Sequence, residues 1–137
     1  MNASVVYYTK SGNTKKIADA IGVEVGTQAG TIDNALTQPV DLLFLGASVY
    51  KFGIDKAVLT FIDTLTPAMV GKVAIFSTSA MSDSGYPILC KALAAKGIPV
   101  VDQHFYCKGK FAFANKNRPN EEDVQNAKTF AKSAMMA

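Results

Sequence analysis

The chain has 137 residues, 49% of them hydrophobic and 18% charged, which is enough for one domain with a substantial core and too few for two. That balance excludes a disordered chain, and no apolar run is long enough to cross a membrane. The net charge of +3 and the pI of about 8.8 come from lysines that are scattered rather than massed, which argues against nucleic-acid binding.

Ala3 to Tyr8 is a continuous apolar stretch rich in β-branched and aromatic residues, as expected of a strand covered on both faces. The N-terminus lacks the basic region and cleavage site of a signal peptide, so a cytoplasmic location is expected. Cys90 and Cys107 have no metal-like spacing, and a reducing compartment would keep both as free thiols. The strand breaks at Thr9-Lys10-Ser11-Gly12-Asn13-Thr14, and KKIADAI then resumes with helical spacing to about Val25. Such a loop points backbone N–H groups, the positive end of a helix dipole and three hydroxyls at one spot, which suits a phosphate. Gly12 permits a positive φ there, and Asn13 tolerates one. No Walker lysine-serine pair and no three-glycine fingerprint follows, so a phosphate monoester fits better than a nucleoside triphosphate or a dinucleotide. The plainer role for any one of the hydroxyls is a helix cap.

Thr27 to Ile32 reads as a weak second strand, and Asn34 to Pro39 is too short for more than a turn of helix. Asp41 to Ser48, DLLFLGAS, is the strongest strand of the chain, followed by the loop Val49-Tyr50-Lys51-Phe52-Gly53 and an amphipathic helix from Ile54 to Leu65. Lys72 to Ser77 is a further buried strand, followed by the loop Thr78-Ser79-Ala80-Met81-Ser82-Asp83-Ser84-Gly85 and a helix from Tyr86 to Lys96. Ile98 to Phe105 reads as the fifth strand and Lys108 to Asn120 as irregular. Asn120 would cap a last helix reaching about Met135 and burying Val124, Ala127, Phe130 and Ala131.

Strands alternating with helices predict an α/β fold: a single domain over 1–137, doubly wound, with a five-stranded parallel sheet of order 2-1-3-4-5 and helices on both faces. Ligands of such sheets bind at the carboxyl ends of the strands, beside the switch point, where residues 9–14, 48–53 and 78–86 would gather. All three segments are rich in Gly, Ser, Thr and Tyr rather than in charge.

Tyr7-Tyr8-Thr9-Lys10-Ser11-Gly12-Asn13-Thr14 closely resembles the phosphate loop of flavodoxins, an aromatic followed by Ser/Thr-x-Thr/Ser-Gly-Asn-Thr. The resemblance extends over nearly the whole chain to a short-chain, stand-alone flavodoxin-like protein, and it implies FMN as cofactor. In it, Thr9, Ser11, Asn13 and Thr14 would hold the FMN phosphate, with Lys10 and Gly12 giving N–H groups. Ser48, Val49, Tyr50, Lys51, Phe52 and Gly53 would form the first flavin-contacting loop, with Tyr50 or Phe52 stacked on the isoalloxazine and a peptide at Gly53 turning to bond N5. Phe52 packing under the helix and Gly53 merely turning the chain are the alternatives. Thr78, Ser79, Ala80, Met81 and Gly85 would form the second loop. Family members often place a tyrosine early in it, whereas here Tyr86 comes late, leaving the outer flavin face open.

Lys51 beside the flavin, with Asp55 and Asp83 the obvious acids nearby, implies a less negative second reduction step than in acidic flavodoxins. The implied function is electron transfer between a flavodoxin reductase and an acceptor protein, by a monomer or weak dimer without catalytic residues of its own. The alternative is an NAD(P)H- or quinone-linked FMN reductase, or a protoporphyrinogen-oxidase-like enzyme, on the same scaffold. His104, the one histidine, reads as a structural or surface residue, Cys90 as core and Cys107 as a buried thiol, with Lys108 beside it as a cation that favours the thiolate.

Overall fold

The computed structural model describes residues 2–34, 36–50, 53–80, 84–110 and 115–137, with the main chain alone at Tyr50. In chain order the elements are β1 (Ala3–Tyr8), α1 (Asn13–Val25), β2 (Gly30–Thr31), β3 (Val40–Tyr50), β4 (Gly53–Ile54), α2 (Lys56–Asp63), β5 (Val70–Ser79), α3 (Gly85–Ala95), β6 (Phe105–Lys108) and α4 (Glu121–Met136). The sheet runs β2-β1-β3-β5-β6, every neighbouring pair parallel, and β4 turns back antiparallel on the end of β3. With that short hairpin set aside, the order is the expected 2-1-3-4-5.

Strand alternation divides the core into two layers. Val5, Tyr7, Phe44 and Phe76 face α1 and α4, where they meet Ile17, Ile21, Ala127 and Phe130. Val6, Leu43, Leu45, Val73 and Ile75 face α2 and α3, against Val58, Phe61, Ile62, Leu89 and Leu93. Burial on both faces is why β3 and β5 are apolar runs rather than alternating ones. Gly46 lies in β3 under the ring of Phe76, where a Cβ would sit 2.2 Å from two ring carbons.

Several boundaries differ from the sequence expectation: β5 runs from Val70 to Ser79, so Thr78 and Ser79 pair in the strand rather than starting the loop, and α2 ends at Asp63. β3 continues past Ser48, and Val49 and Tyr50 pair with Ile54 and Gly53, so the start of the expected loop is a hairpin. Ile54 therefore lies in a strand, and Asp55 begins the helix by accepting the Ala57 N–H at 2.8 Å. The fifth strand is displaced towards the C-terminus. Of Ile98–Phe105, only the bridge between Val100 and Val73 forms before the chain bulges out through exposed Asp102 and Gln103, and continuous pairing runs from Phe105 to Lys108. β2 shrinks to two residues, and the connection from β2 to β3 carries no helix among its described residues.

α4 is capped as expected and more fully. Asn120 accepts the Asp123 N–H at 2.9 Å, and Asp123 returns the contact from the Asn120 N–H at 2.8 Å, a capping box. Arg118 adds a forked pair to the same carboxylate, at 2.6 and 2.7 Å. Val124 is half-buried rather than core, and Ala134 completes the buried stripe. Burial opposes the charge on Asp123, but Arg118 and the Asn120 N–H outweigh it and hold the carboxyl below the usual carboxylate range. A depressed folded pKa stabilises the fold fully above the unfolded value of about 3.9, and this stabilisation disappears as pH falls through the folded pKa. Asp123→Asn is expected to cost about 1–3 kcal/mol in urea unfolding at neutral pH, and the deficit against wild type should narrow as the pH falls below about 4.

Cys90 is half-buried against the α2–α3 layer, so its reading as core holds only in part. Cys107 lies on β6 with its thiol in the α1–α4 layer, and burial pushes that thiol up to about 12. Lys108 does not activate it; desolvation dominates. With iodoacetamide at pH 8, Cys90 is therefore expected to be modified first, and Cys107 only on unfolding, as read by peptide mass.

Candidate functional site

The ends of β1, β3 and β5 converge at one rim, and the loop from Thr9 to Gly12 lies above them. Gly12 adopts φ 88°, a left-handed conformation that β-carbon-bearing residues rarely take, and it directs the chain into α1. Gly12, at the cap position of α1, has no side chain to offer, in contrast with Asp55 at α2 and Asn120 at α4, so the positive end of the α1 dipole is left to the loop itself. Thr9 Oγ1 accepts the Gly12 N–H at 3.1 Å and Ser11 Oγ lies 3.5 Å from the Asn13 nitrogen, which folds the loop into a tight arch.

Below the arch is a floor of hydroxyls from three elements. Thr14 Oγ1 lies 2.6 Å from Ser48 Oγ on β3 and 2.9 Å from Thr78 Oγ1 on β5, and Ser48 donates to Thr9 Oγ1 at 3.1 Å. Thr14, Ser48 and Thr78 are all buried, each under 5% exposed. Sequence reasoning assigned these three residues to three separate loops; the fold joins them in one network. The result is a neutral surface of oriented donors at a helix start, chemistry that suits an oxyanion without a paired cation.

Lys10, the loop's own cation, points elsewhere: its Nζ lies 3.3 Å from Asp55, which also receives the Tyr8 hydroxyl at 3.3 Å. The Ala57 N–H, ahead of Lys10 and Tyr8, holds the Asp55 carboxyl below its ordinary range. Asn13 donates to the Lys110 carbonyl at 2.9 Å, and Gly109 is packed so closely on Asn13 that a Cβ would lie 2.6 Å from its amide nitrogen. Ser79 shares a 2.9 Å hydrogen bond with the Tyr106 hydroxyl, and Asn115, itself at φ 55°, donates to the carbonyls of Ala80 and Gly109. Gly109, Lys110 and Asn115 therefore close one side of the site, in a stretch that sequence reasoning left as irregular. Its readable signals were the alternation in Phe105-Tyr106-Cys107-Lys108 and the asparagines around Arg118-Pro119.

Of the remaining expected residues, Val49 is half-buried, the Tyr50 main chain pairs with Gly53, and Gly53 takes φ 105° at the foot of the hairpin. Gly85 opens α3 against Val49 and Ile54. Lys51, Phe52, Met81 and Asp83 lie outside the described residues. Tyr86 stacks on His104 with centroids 3.7 Å apart and 13° between planes, so both rings belong to the junction of α3 and the sheet edge.

Residues 4–124 match the family model described as a flavodoxin domain. The chain belongs to the flavodoxin domain family. A flavodoxin from the domain Archaea superposes with a TM-score of 0.81 at 22% identity, covering 97% of this chain and 95% of that one. Oxidised flavodoxin 2 from Bacillus cereus gives 0.76 at 19% identity, with 99% of both chains covered. An uncharacterized protein of Methanocaldococcus jannaschii is 30% identical over 155 aligned positions, covering 98% of this chain and 99% of its own. These flavodoxin likenesses show the fold, and no helix among the described residues is long and apolar enough to cross a membrane.

Proposed function

We propose that this flavodoxin-domain protein binds FMN and carries electrons between a reductase and an acceptor protein in the cytoplasm. The observation that supports this most is the arch of Thr9, Ser11, Gly12 and Asn13 at an uncapped helix start, over the hydroxyls of Thr14, Ser48 and Thr78. These residues fit a terminal phosphate: the donors are neutral, they converge, and Gly12 leaves open space where a side chain would stand. In this reading the strands paired at Val49 and Ile54 and the start of the loop after β5 would flank the ring system. When bound, FMN supplies one- and two-electron redox chemistry. The chain's part is to hold the phosphate, orient the ring against the hairpin and limit access of water.

A second reading, an FMN-dependent NAD(P)H or quinone reductase, is favoured by one observation. The Tyr86 ring is committed to His104 and is therefore drawn away from the outer flavin face. Stepwise anaerobic reduction of the FMN-loaded protein, followed by absorbance, separates the two. Two resolved one-electron stages support the carrier. A single two-electron stage, with NAD(P)H or quinone turnover by the protein alone, supports the enzyme. Failure to bind FMN overturns both.

A further inference from the structure

The end of β6 and the described part of the connection to α4 carry three lysines beside a site whose other segments are rich in hydroxyls rather than in charge. Lys108, Lys110 and Lys116 are all exposed, and none has an acidic partner among the described residues. Other cations nearby are already occupied: Lys10 pairs with Asp55, Lys15 with Asp19 at 2.8 Å, and Arg118 with Asp123. The main chain that carries them is hydrogen-bonded at described positions on either side. The Lys110 N–H donates to the Arg118 carbonyl and the Arg118 N–H to the Asn115 carbonyl, both at 2.9 Å, which closes the segment on itself. Asn115 ties it to Ala80 in the loop after β5, and the Lys110 carbonyl ties it to Asn13 at the start of α1. The acids that flank these lysines in sequence are Asp102, exposed where the chain bulges before β6, and Glu121 and Glu122, which lie beyond the Asn120 cap, where Glu121 accepts from Gln125 and Glu122 faces the Arg118 charge.

We infer that Lys108, Lys110 and Lys116 form a docking surface for an acidic protein, one that places the partner's anionic face beside the loops at the rim. The inference rests on the functional reading above for its purpose, but the surface itself does not depend on flavin. Charges fixed on a hydrogen-bonded loop steer an oppositely charged partner into a defined orientation, and they do so mainly through the association rate. Nucleic acid is the poorer fit. The surface offers few cations, its one arginine is forked onto Asp123, and a strand of phosphates needs a longer basic track.

The test is a titration of the 15N-labelled full chain with poly-L-glutamate, as purified and again after FMN addition. Amide shifts are expected at 108–110, 115–118 and 9–14, with affinity falling about tenfold between about 20 mM and about 150 mM NaCl. Lys108→Glu with Lys116→Glu should abolish those shifts while thermal unfolding and FMN affinity stay at wild-type values; Lys110, whose carbonyl helps hold the loop, is left unchanged. Shifts centred elsewhere, shifts that survive the double substitution, or tighter binding of single-stranded RNA at the same residues would each overturn the inference. FMN failing to bind while poly-L-glutamate still shifts these amides would remove the electron-carrier reading and leave the surface standing.

Discussion

Replacing Gly46 by valine is expected to destabilise the protein by about 3 kcal/mol or more and to lower its melting temperature by at least about 10 °C. The cause is spatial. A Cβ at this position falls 2.2 Å from two ring carbons of Phe76 and 2.8 Å from a third. Neither partner has room to retreat. Phe76 is fully buried on β5, and Gly46 pairs with Tyr7 on one side and Phe76 on the other in the most extensively laddered part of the sheet. Moving the ring would displace the layer it shares with Phe44 and Phe105 beneath α1 and α4. Close-packed interiors absorb such a change only through off-rotamer side chains or shifted strands. Urea unfolding of Gly46→Ala, of Phe76→Leu and of the two combined should show a non-additive recovery in the pair. Simple additivity would mean that the ring is not the obstacle.

Thr14→Val is expected to weaken FMN binding about 10- to 100-fold while changing riboflavin affinity by less than about threefold, both read by quenching of flavin fluorescence. Valine keeps the shape of threonine and removes the one hydroxyl that touches both Ser48 and Thr78. Those two groups are buried, so each loses a partner that water does not readily replace. Ser48 can then turn from Thr9, and the arch above loses the support that sets Gly12 and the first turn of α1. Because riboflavin lacks the phosphate, an equal loss for both ligands would place Thr14 against the ring system and overturn the assignment.

The amino-acid sequence reveals the sheet order and the glycine-bearing turn from β1 into α1 because both are written in local signals. Apolar runs covered on two faces, a helix restarting at Thr14 and glycines at turns need no knowledge of distant residues. The displaced fifth strand shows where local signals fail. Ile98-Pro99-Val100-Val101 has the composition of a strand, yet Asp102 and Gln103 leave the sheet, and pairing resumes only where Phe105 finds Phe76. Register of that kind is set by the partner strand and is absent from any window of the chain itself. The hydroxyl floor was half visible for the same reason. Thr14, Ser48 and Thr78 each looked like loop residues, and only the parallel alignment of β1, β3 and β5 brings them within hydrogen-bond distance. Asn115 and the Lys110 carbonyl lay beyond sequence reasoning altogether, since their role depends on how an irregular segment folds back over α1.

The short β2 carries a consequence for the native-state energetics of the whole sheet. β1 and β3 align over six residue pairs and β3 and β5 over eight, whereas β2 contributes two pairs at the margin. Opening free energy is therefore graded across the molecule, lowest at β2 and its connection and highest at β3 and β5. Amide hydrogen exchange should follow that gradient, with Gly30 and Thr31 exchanging through subglobular fluctuations and Leu43–Leu45 only through global unfolding. The loops of the candidate site hang from β1, β3 and β5, on the stiff side of the gradient. A ligand held there would be anchored to the part of the sheet that opens last, so its release would not follow the fluctuations that free β2.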